Sequence, residues 1–135
     1  MREQVVDIRV RYNETDRMGI VHHSNYVYYY EMARTEYMRR LGVSYREMEE
    51  RGVYLVVREV HTKYLAPAYY DEILHVTVRL ASEPQVKVTF EYEIRNDKGE
   101  LLNTGSTVLA SVDAVTRRPV RCPSWFIEMI KKGNN

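Results

Sequence analysis

The chain has 135 residues, of which 44% are hydrophobic and 29% are charged, so we expect one folded domain over residues 1–135 and no extensive disorder. Lys and Arg total 20 against 19 Asp and Glu, a balance that disfavours nucleic-acid and membrane-surface binders. The single cysteine, Cys122, excludes an intramolecular disulfide and a Cys-rich metal site. Since no apolar run approaches the roughly 18 residues of a membrane span, and the first residues lack a signal-like apolar core, we expect a reducing, cytoplasmic location.

The first part of the chain predicts a strand followed by a long helix. Residues 4–12 alternate apolar and polar side chains, as a half-buried strand does. Residues 24–41 predict the helix, which Ser24 or Asn25 is suited to cap and Gly42 is suited to end. Its apolar stripe repeats at helical spacing, through Tyr26, Tyr30, Ala33, Tyr37 and Leu41.

Two shorter helices are predicted on either side of the later strands. Ser44 and Glu47 have the spacing of a capping box, in which each residue satisfies a free amide of the other, so residues 45–51 predict a short helix. Residues 124–132 predict a closing helix after a proline-containing extended segment.

Period-two patterns dominate the second half of the chain. Residues 53–65 and 101–113 predict long strands, and residues 74–80 and 86–95 alternate apolar and polar side chains. Residues 96–99 have the composition of a hairpin turn. Because hairpins join antiparallel strands, these elements predict an α+β fold, with the long helix laid across one face of an antiparallel sheet of about five strands.

Asp16 is the first candidate for chemistry. It lies in the polar loop between the first strand and the long helix, seven residues before His23. The free amides and partial positive charge of a helix N-terminus can polarise a carbonyl oxygen, and a nearby carboxylate can activate water or attack directly. The alternative is that Asp16 caps a turn, which is the commoner role of Asp in loops. The spacing alone favours that alternative.

Other polar residues have ordinary interpretations that we prefer. His22 and His23 are adjacent but have no carboxylate or thiol at a familiar metal-ligand spacing, so we expect capping or pocket lining. Glu31 and Arg34 have the spacing of a weak helix ion pair. Arg117, Arg118 and Arg121 are grouped near the C-terminus, either in a solvated turn or as a phosphate clamp. We expect Cys122 to be an ordinary thiol.

The segment RVRYNETDRMGIVHHSNYVYYYEMARTEYMRRLG resembles the signature of hot-dog-fold acyl-CoA thioesterases of the 4-hydroxybenzoyl-CoA thioesterase type. The matching residues are Tyr12, Thr15, Asp16, Gly19, Ile20, Val21, Tyr26, Glu31, Ala33 and Arg34. Within that superfamily the chain is most similar to the Tol–Pal-associated group, in which a His stands at the position of His23. Weaker similarity continues through residues 64–68, 70–71 and 119–123.

The resemblance implies an antiparallel sheet wrapped around one long helix, and thioester hydrolysis without a metal or other cofactor. It implies that Asp16 is the catalytic carboxylate, as general base or nucleophile. The amide of His23 would bind the thioester carbonyl, while its side chain would position substrate or move a proton. Tyr26 would line the acyl pocket. The candidates for binding the CoA phosphates are Lys87, Arg117, Arg118 and Arg121.

The resemblance also implies the partners. The expected substrate is a short-chain or aryl acyl-CoA, with an acyl-carrier protein as an alternative carrier. The expected assembly is a homo-oligomer, either a dimer or a dimer of dimers, with sites between subunits. A non-catalytic acyl-CoA-binding or regulatory hot-dog module is the alternative function, although such a module gains nothing from a carboxylate at the position of Asp16.

Overall fold

The computed structural model describes residues 3–133, in which five strands form one antiparallel sheet around a long helix. The strands are β1 (Gln4–Arg9), β2 (Val53–Tyr64), β3 (Ile73–Leu80), β4 (Lys87–Arg95) and β5 (Leu101–Asp113). The helices are α1 (Asn25–Arg40), α2 (Tyr45–Glu50) and α3 (Ser124–Gly133), and a short 3-10 helix spans Tyr12–Glu14. The predicted α+β fold is therefore confirmed.

The strands lie in the order β1-β3-β4-β5-β2, so β1 and β2 form the two edges of the sheet. Every neighbouring pair is antiparallel. The period-two patterns set the register, as in β3 and β4, where Val76 pairs with Ile94 and both are fully buried. A bulge interrupts the pairing of β2 with β5 between Val57 and Glu59.

Helix α1 buries the predicted stripe against the sheet, except that Leu41 is only half-buried. The helix also buries residues that the stripe did not include, namely Tyr29, Arg34 and Met38. A glycine with a φ of 96°, Gly42, follows the helix, as predicted. The tyrosines of α1 are thus among the largest buried side chains of the core.

The predicted side-chain cap of α1 by Ser24 or Asn25 is wrong. Ser24 occupies the capping position with helical backbone angles, φ −66° and ψ −22°, and its side chain makes no capping hydrogen bond. A capping side chain reaches the first free amides from an extended backbone. Ser44 has that backbone, with φ −97° and ψ 160°, and its hydroxyl accepts from the Glu47 amide at 3.1 Å, so the predicted cap of α2 is confirmed.

The predicted ion pair between Glu31 and Arg34 is also wrong. Arg34 is only 6% exposed, and its Nε donates to the Tyr45 hydroxyl at 2.9 Å. Glu31 is exposed on α1 and forms no ion pair with Arg34. Since Arg34 directly follows Ala33 in the buried stripe, the rotation of α1 that packs its tyrosines also turns this guanidinium inward.

The close approach of α1 to β5 requires a glycine at position 105. The ring of Tyr30 stacks on that of Tyr92 at 4.2 Å between centroids, and its hydroxyl bonds to Asn103 and to Thr62. A Cβ added at Gly105 would overlap that hydroxyl and lie 2.6 Å from the His61 carbonyl oxygen. Glycine therefore allows the tyrosine hydroxyl to reach the backbone of the sheet.

The first strand is shorter than the predicted residues 4–12, because Tyr12–Glu14 turn into a 3-10 helix. The other predicted elements agree with the structure within one or two residues. Within residues 3–133, no helix is both long and apolar enough to cross a membrane. The cytoplasmic location stays a prediction.

Candidate active site

The loop that carries Asp16 is a small hydrogen-bonded hairpin between β1 and α1. The Asp16 amide donates to the Ile20 carbonyl, and the Gly19 amide donates back to the Asp16 carbonyl, each at 2.9 Å. The Asp16 carboxylate accepts from the Met18 amide through Oδ1 at 2.9 Å. Asp16 therefore does cap a turn, as the alternative interpretation had it. Its Oδ2 atom has no hydrogen-bond donor among residues 3–133, so one oxygen stays available for other chemistry.

Asp16 opens onto a hollow of about 420 Å³ beside the beginning of α1. Its polar side is formed by Asp16, His23, Tyr26 and Tyr64. The remaining lining residues are apolar, namely Met18, Ile20, Val21, Leu65, Ala66 and Pro67. The structure thus brings together Asp16, His23 and Tyr26, three of the residues that the sequence singled out.

The backbone at the beginning of α1 leaves the amide of His23, a lining residue of this hollow, unused. The His22 amide donates to the Glu14 carbonyl at 2.8 Å, and the Asn25 amide donates to the His22 carbonyl at 3.0 Å. The Ser24 amide donates to His22 Nδ1 at 3.2 Å. Among residues 3–133 the amide of His23 has no acceptor. This free donor lies where the helix dipole adds partial positive charge.

The two adjacent histidines have different surroundings. The His22 ring accepts from the Ser24 amide, while His23 lines the hollow. The two rings lie 4.1 Å apart between centroids, with their planes tilted by 31°. In the described part of the chain, no group of three or more His, Cys, Asp or Glu side chains is placed to hold a metal ion.

Tyr64 also lines the hollow and is not among the site residues that the sequence predicts. It ends the edge strand β2, and its hydroxyl donates to the His23 carbonyl oxygen at 3.0 Å. Its ring packs edge-on against that of Tyr26, at 5.2 Å between centroids. Tyr64 therefore orients the peptide at the beginning of α1. The only sequence signal was its position at the end of a strand, in the segment that shares the weaker resemblance.

The raised pKa of Tyr26 excludes it as a general base. Burial, together with the neighbouring Tyr64 and Glu72, raises the pKa of Tyr26 to about 12. Its hydroxyl therefore keeps its proton at neutral pH and can donate a hydrogen bond, but it cannot serve as a general base there.

The four basic candidates lie away from this hollow in the single chain. Lys87 is exposed at the beginning of β4. Arg117 packs over the ring of Tyr54 at 5.0 Å from its centroid. Arg118 is exposed in the same loop, whereas Arg121 lines a separate depression beside Cys122. None of them lines the hollow that contains Asp16.

Comparisons with known proteins agree with this arrangement. The family model of the thioesterase-like superfamily matches residues 10–130. The chain is 32% identical over 125 residues to an acyl-CoA thioester hydrolase, YbgC, from Escherichia coli, covering 93% of each chain. It is 34% identical over 123 residues to a putative acyl-CoA thioesterase, YneP, from Bacillus subtilis, covering 88% of this chain and 89% of that one.

The fold is also similar to that of solved thioesterase structures. A crystal structure of a DHNA-CoA thioesterase from Staphylococcus aureus superimposes with a TM-score of 0.90 and 35% identity, covering 99% of this chain and 92% of that one. The resemblance found in the sequence is therefore confirmed: the chain belongs to the thioesterase-like superfamily and is a thioester hydrolase of the hot-dog fold.

Proposed function

We propose that this enzyme hydrolyses acyl-CoA thioesters in the hollow between the Asp16 loop and the beginning of α1. The proposal rests on two residues that line the same partly apolar hollow. Asp16 has a carboxylate oxygen without a hydrogen-bond donor, and His23 has a backbone amide without an acceptor. Hydrolysis of a thioester needs both groups, because one bond is made to the carbonyl carbon while charge collects on the carbonyl oxygen. The names of the two curated relatives support CoA as the carrier.

The amide of His23 is proposed to bind the thioester carbonyl oxygen. A fixed donor of this kind typically stabilises the transition state by about 2.7–4 kcal/mol, because the bond strengthens as the oxygen becomes an anion. The hydrogen bond from Tyr64 to the carbonyl of the same residue, in the next peptide group, limits the movement of the His23 backbone.

Asp16 is proposed to act on the carbonyl carbon by one of two routes. As a general base, its carboxylate takes a proton from water while the water oxygen attacks the carbon and the CoA thiolate leaves. As a nucleophile, it attacks the carbon itself and displaces the CoA thiolate, and water then hydrolyses the resulting mixed anhydride. Both routes yield the free acid and CoA, and neither needs a metal or a redox cofactor.

The rest of the hollow suits a short-chain or aryl acyl group. The ring of Tyr26 and the apolar side chains around it would contact the acyl part, and the exposed His23 ring would position the substrate or move a proton. The CoA phosphates lie far from the thioester in an extended substrate. We therefore retain the basic residues outside the hollow as their candidate ligands, namely Lys87, Arg117, Arg118 and Arg121.

The proposed active form is a homo-oligomer, at least a dimer, that joins two chains along β2. This edge strand exposes apolar side chains on both faces, with Val56 at 42%, Val57 at 43% and Val60 at 37%. Tyr64, at the end of the same strand, is 49% exposed and lines the hollow. A partner packed on β2 would cover this apolar edge and close the hollow with its own residues.

Sedimentation at the assay concentration tests the assembly. We expect a species of twice or four times the chain mass of 16.1 kDa, and a loss of specific activity on dilution below its dissociation constant. A monomer with full activity would contradict the shared site.

The function itself is tested by release of free thiol from a panel of thioesters. The panel contains short-chain, aryl and long-chain acyl-CoAs and the corresponding acyl-carrier-protein forms. We expect turnover of the short-chain or aryl CoA thioesters above the background rate. If no thioester is cleaved but calorimetry shows that acyl-CoA binds, the alternative of a non-catalytic acyl-CoA-binding module replaces this proposal.

A further inference from the structure

A buried carboxylate beside the hollow, that of Glu14, has no part in the reaction as described. It ends the 3-10 helix two residues before Asp16 and is only 6% exposed. Its Oε1 atom accepts from the Tyr29 hydroxyl at 2.9 Å and from the Arg11 amide at 2.8 Å. Its Oε2 atom lies 3.2 Å from Arg11 Nε. Since both oxygens are engaged by three donors, the side chain is held in one orientation.

The backbone of the same residue reaches the beginning of α1. The Glu14 carbonyl accepts from the His22 amide at 2.8 Å and from the Asn25 side-chain amide at 2.9 Å. The next residue, Thr15, forms an isolated bridge with Val21. Glu14 therefore connects the loop that carries Asp16 to the turn that presents the free amide of His23.

Tyr29 extends this connection to the hollow. Burial, and then the hydrogen bond to the Glu14 carboxylate, raises the pKa of Tyr29, so its hydroxyl stays the donor of that bond. Its ring packs edge-on against Tyr26, a lining residue of the hollow, at 5.7 Å between centroids. The carboxylate does not line the hollow, but through Tyr29 it contacts the helix that supplies Tyr26 to it.

We propose that Glu14 is a positioning residue that fixes the separation between the Asp16 carboxylate and the His23 amide. The inference rests on the proposed function, because it assigns these two groups to the thioester. Loss of the carboxylate would leave the buried Tyr29 hydroxyl and the Arg11 amide without their acceptor, and the loop would shift to hydrate them. A displacement of about 1 Å at reacting groups can cost about 100-fold in rate.

The test compares Glu14→Ala with Glu14→Gln and with the control Glu36→Ala. Glu36 is a carboxylate of α1 that forms ion pairs with Arg39 and Arg40 outside the hollow. The glutamine side chain keeps one oxygen that can accept from the Tyr29 hydroxyl and the Arg11 amide, but it lacks the charge and the acceptor for Arg11 Nε. Thioester hydrolysis is measured at a temperature at which circular dichroism shows each variant folded. Hydrogen–deuterium exchange is followed in peptides from residues 12–24 and 73–95.

We expect Glu14→Ala to lower kcat by about 10- to 100-fold with KM within about threefold of wild type, because the reacting groups are misaligned while the binding surface remains. Exchange should accelerate in residues 12–24 and not in residues 73–95. Glu14→Gln should retain kcat within about threefold, and Glu36→Ala should leave kcat and exchange unchanged.

Three results would overturn the inference. The first is a folded Glu14→Ala variant with the kcat of wild type, and the second is a Glu14→Gln variant as inactive as Glu14→Ala, which would assign the carboxylate a role in the chemistry itself. If Glu14→Ala does not fold, Tyr29→Phe replaces it, with an expected fall in kcat of about 3- to 10-fold. The third result that would overturn the inference is an unchanged kcat in Tyr29→Phe. A wild-type enzyme without turnover marks the failure of the proposed function instead.

Discussion

In the paired strands β3 and β4, side chains alternate between core and solvent along their whole length, whereas residues 11–26 follow no period. The strands are held by a regular ladder of backbone hydrogen bonds. The loop before α1 is held by individual contacts, such as the Met18 amide on Asp16 and the Asn25 side chain on the Glu14 carbonyl. The strands use their polar groups on one another, whereas the loop leaves an oxygen of Asp16 and the amide of His23 for a substrate.

This difference predicts that substitutions will separate into two classes. Changes in residues 11–26 and in their contacts should reduce turnover more than stability. Changes within the sheet should reduce stability and leave turnover per folded molecule unchanged. The following predictions test that separation, beginning with the largest effect.

The largest effect is expected for Asp16→Asn. The amide can still accept from the Met18 amide, so the turn should persist, but it can neither take a proton nor attack the carbonyl carbon. Loss of a general base typically lowers kcat by about 10²–10⁴-fold. Steady-state kinetics and thermal unfolding should show this loss with a melting temperature close to that of wild type. Asp16→Ala, which also lacks the turn contact, serves as the comparison.

Gly105→Ala should give the opposite result. The added methyl group would overlap the Tyr30 hydroxyl and the His61 carbonyl, and overpacking of this kind typically costs about 1–3 kcal/mol. Urea unfolding should show that loss, while kcat per folded molecule stays near the wild-type value. Gly99→Ala serves as a comparison for backbone strain without a clash, since nothing lies within 4 Å of its added methyl group but its φ of 79° is unfavourable for alanine. A Gly105→Ala variant of wild-type stability would contradict the close approach of α1 to β5.

A smaller effect on turnover is expected for Tyr64→Phe. This change removes only the hydroxyl that donates to the His23 carbonyl, and one neutral hydrogen bond is worth about 0.5–1.5 kcal/mol. If that energy is realised in the transition state, kcat falls by about 2- to 10-fold. Tyr69→Phe, at an exposed tyrosine outside the hollow, should leave kcat unchanged. Equal kcat values for the two variants would show that the Tyr64 hydroxyl does not contribute to turnover.

The smallest effect concerns the sheet and depends on pH. His75 of β3 bonds to Asp97 at 2.6 Å and to Asp7 of β1 at 2.7 Å, and these two hydrogen bonds raise its pKa. Because the folded-state pKa lies above the unfolded value of about 6.5, the added stability is present below that value and is lost as the pH rises through the folded-state pKa.

His75→Gln should therefore lower the melting temperature at pH 6 and have little effect at pH 9. The pair is partly exposed, so its contribution should not exceed about 1 kcal/mol. Thermal unfolding at the two pH values measures the difference. A destabilisation of the same size at both pH values would show that charge on His75 contributes nothing.

The same comparison explains which features the sequence could predict. Periodicity gave the strands and helices, because alternation in β4 and the tyrosine stripe of α1 are local consequences of one buried face. The contacts between distant residues were not predictable in this way. Arg34 has the spacing of a partner for Glu31 but turns inward to Tyr45, and Ser24 has a capping side chain on a backbone that cannot use it.

The candidate site followed the same rule. Asp16 and His23 were selected by their place before a helix and by resemblance to a family. Tyr64 lies on a strand far along the chain and joins them only through the fold. The role of Glu14 could not be predicted for a different reason. In a polar loop, no sequence pattern distinguishes a buried carboxylate from a solvated one.

Infrared spectroscopy of a thioester bound to Asp16→Asn tests the central claim most directly. The substrate carries ¹³C at the thioester carbonyl, so that its stretching band can be separated from those of the protein. If Asp16 performs the chemistry and the His23 amide binds the carbonyl oxygen, the band should persist through the measurement and lie at lower frequency than in water. Rapid loss of the band, or a band that is not shifted to lower frequency, would contradict the account.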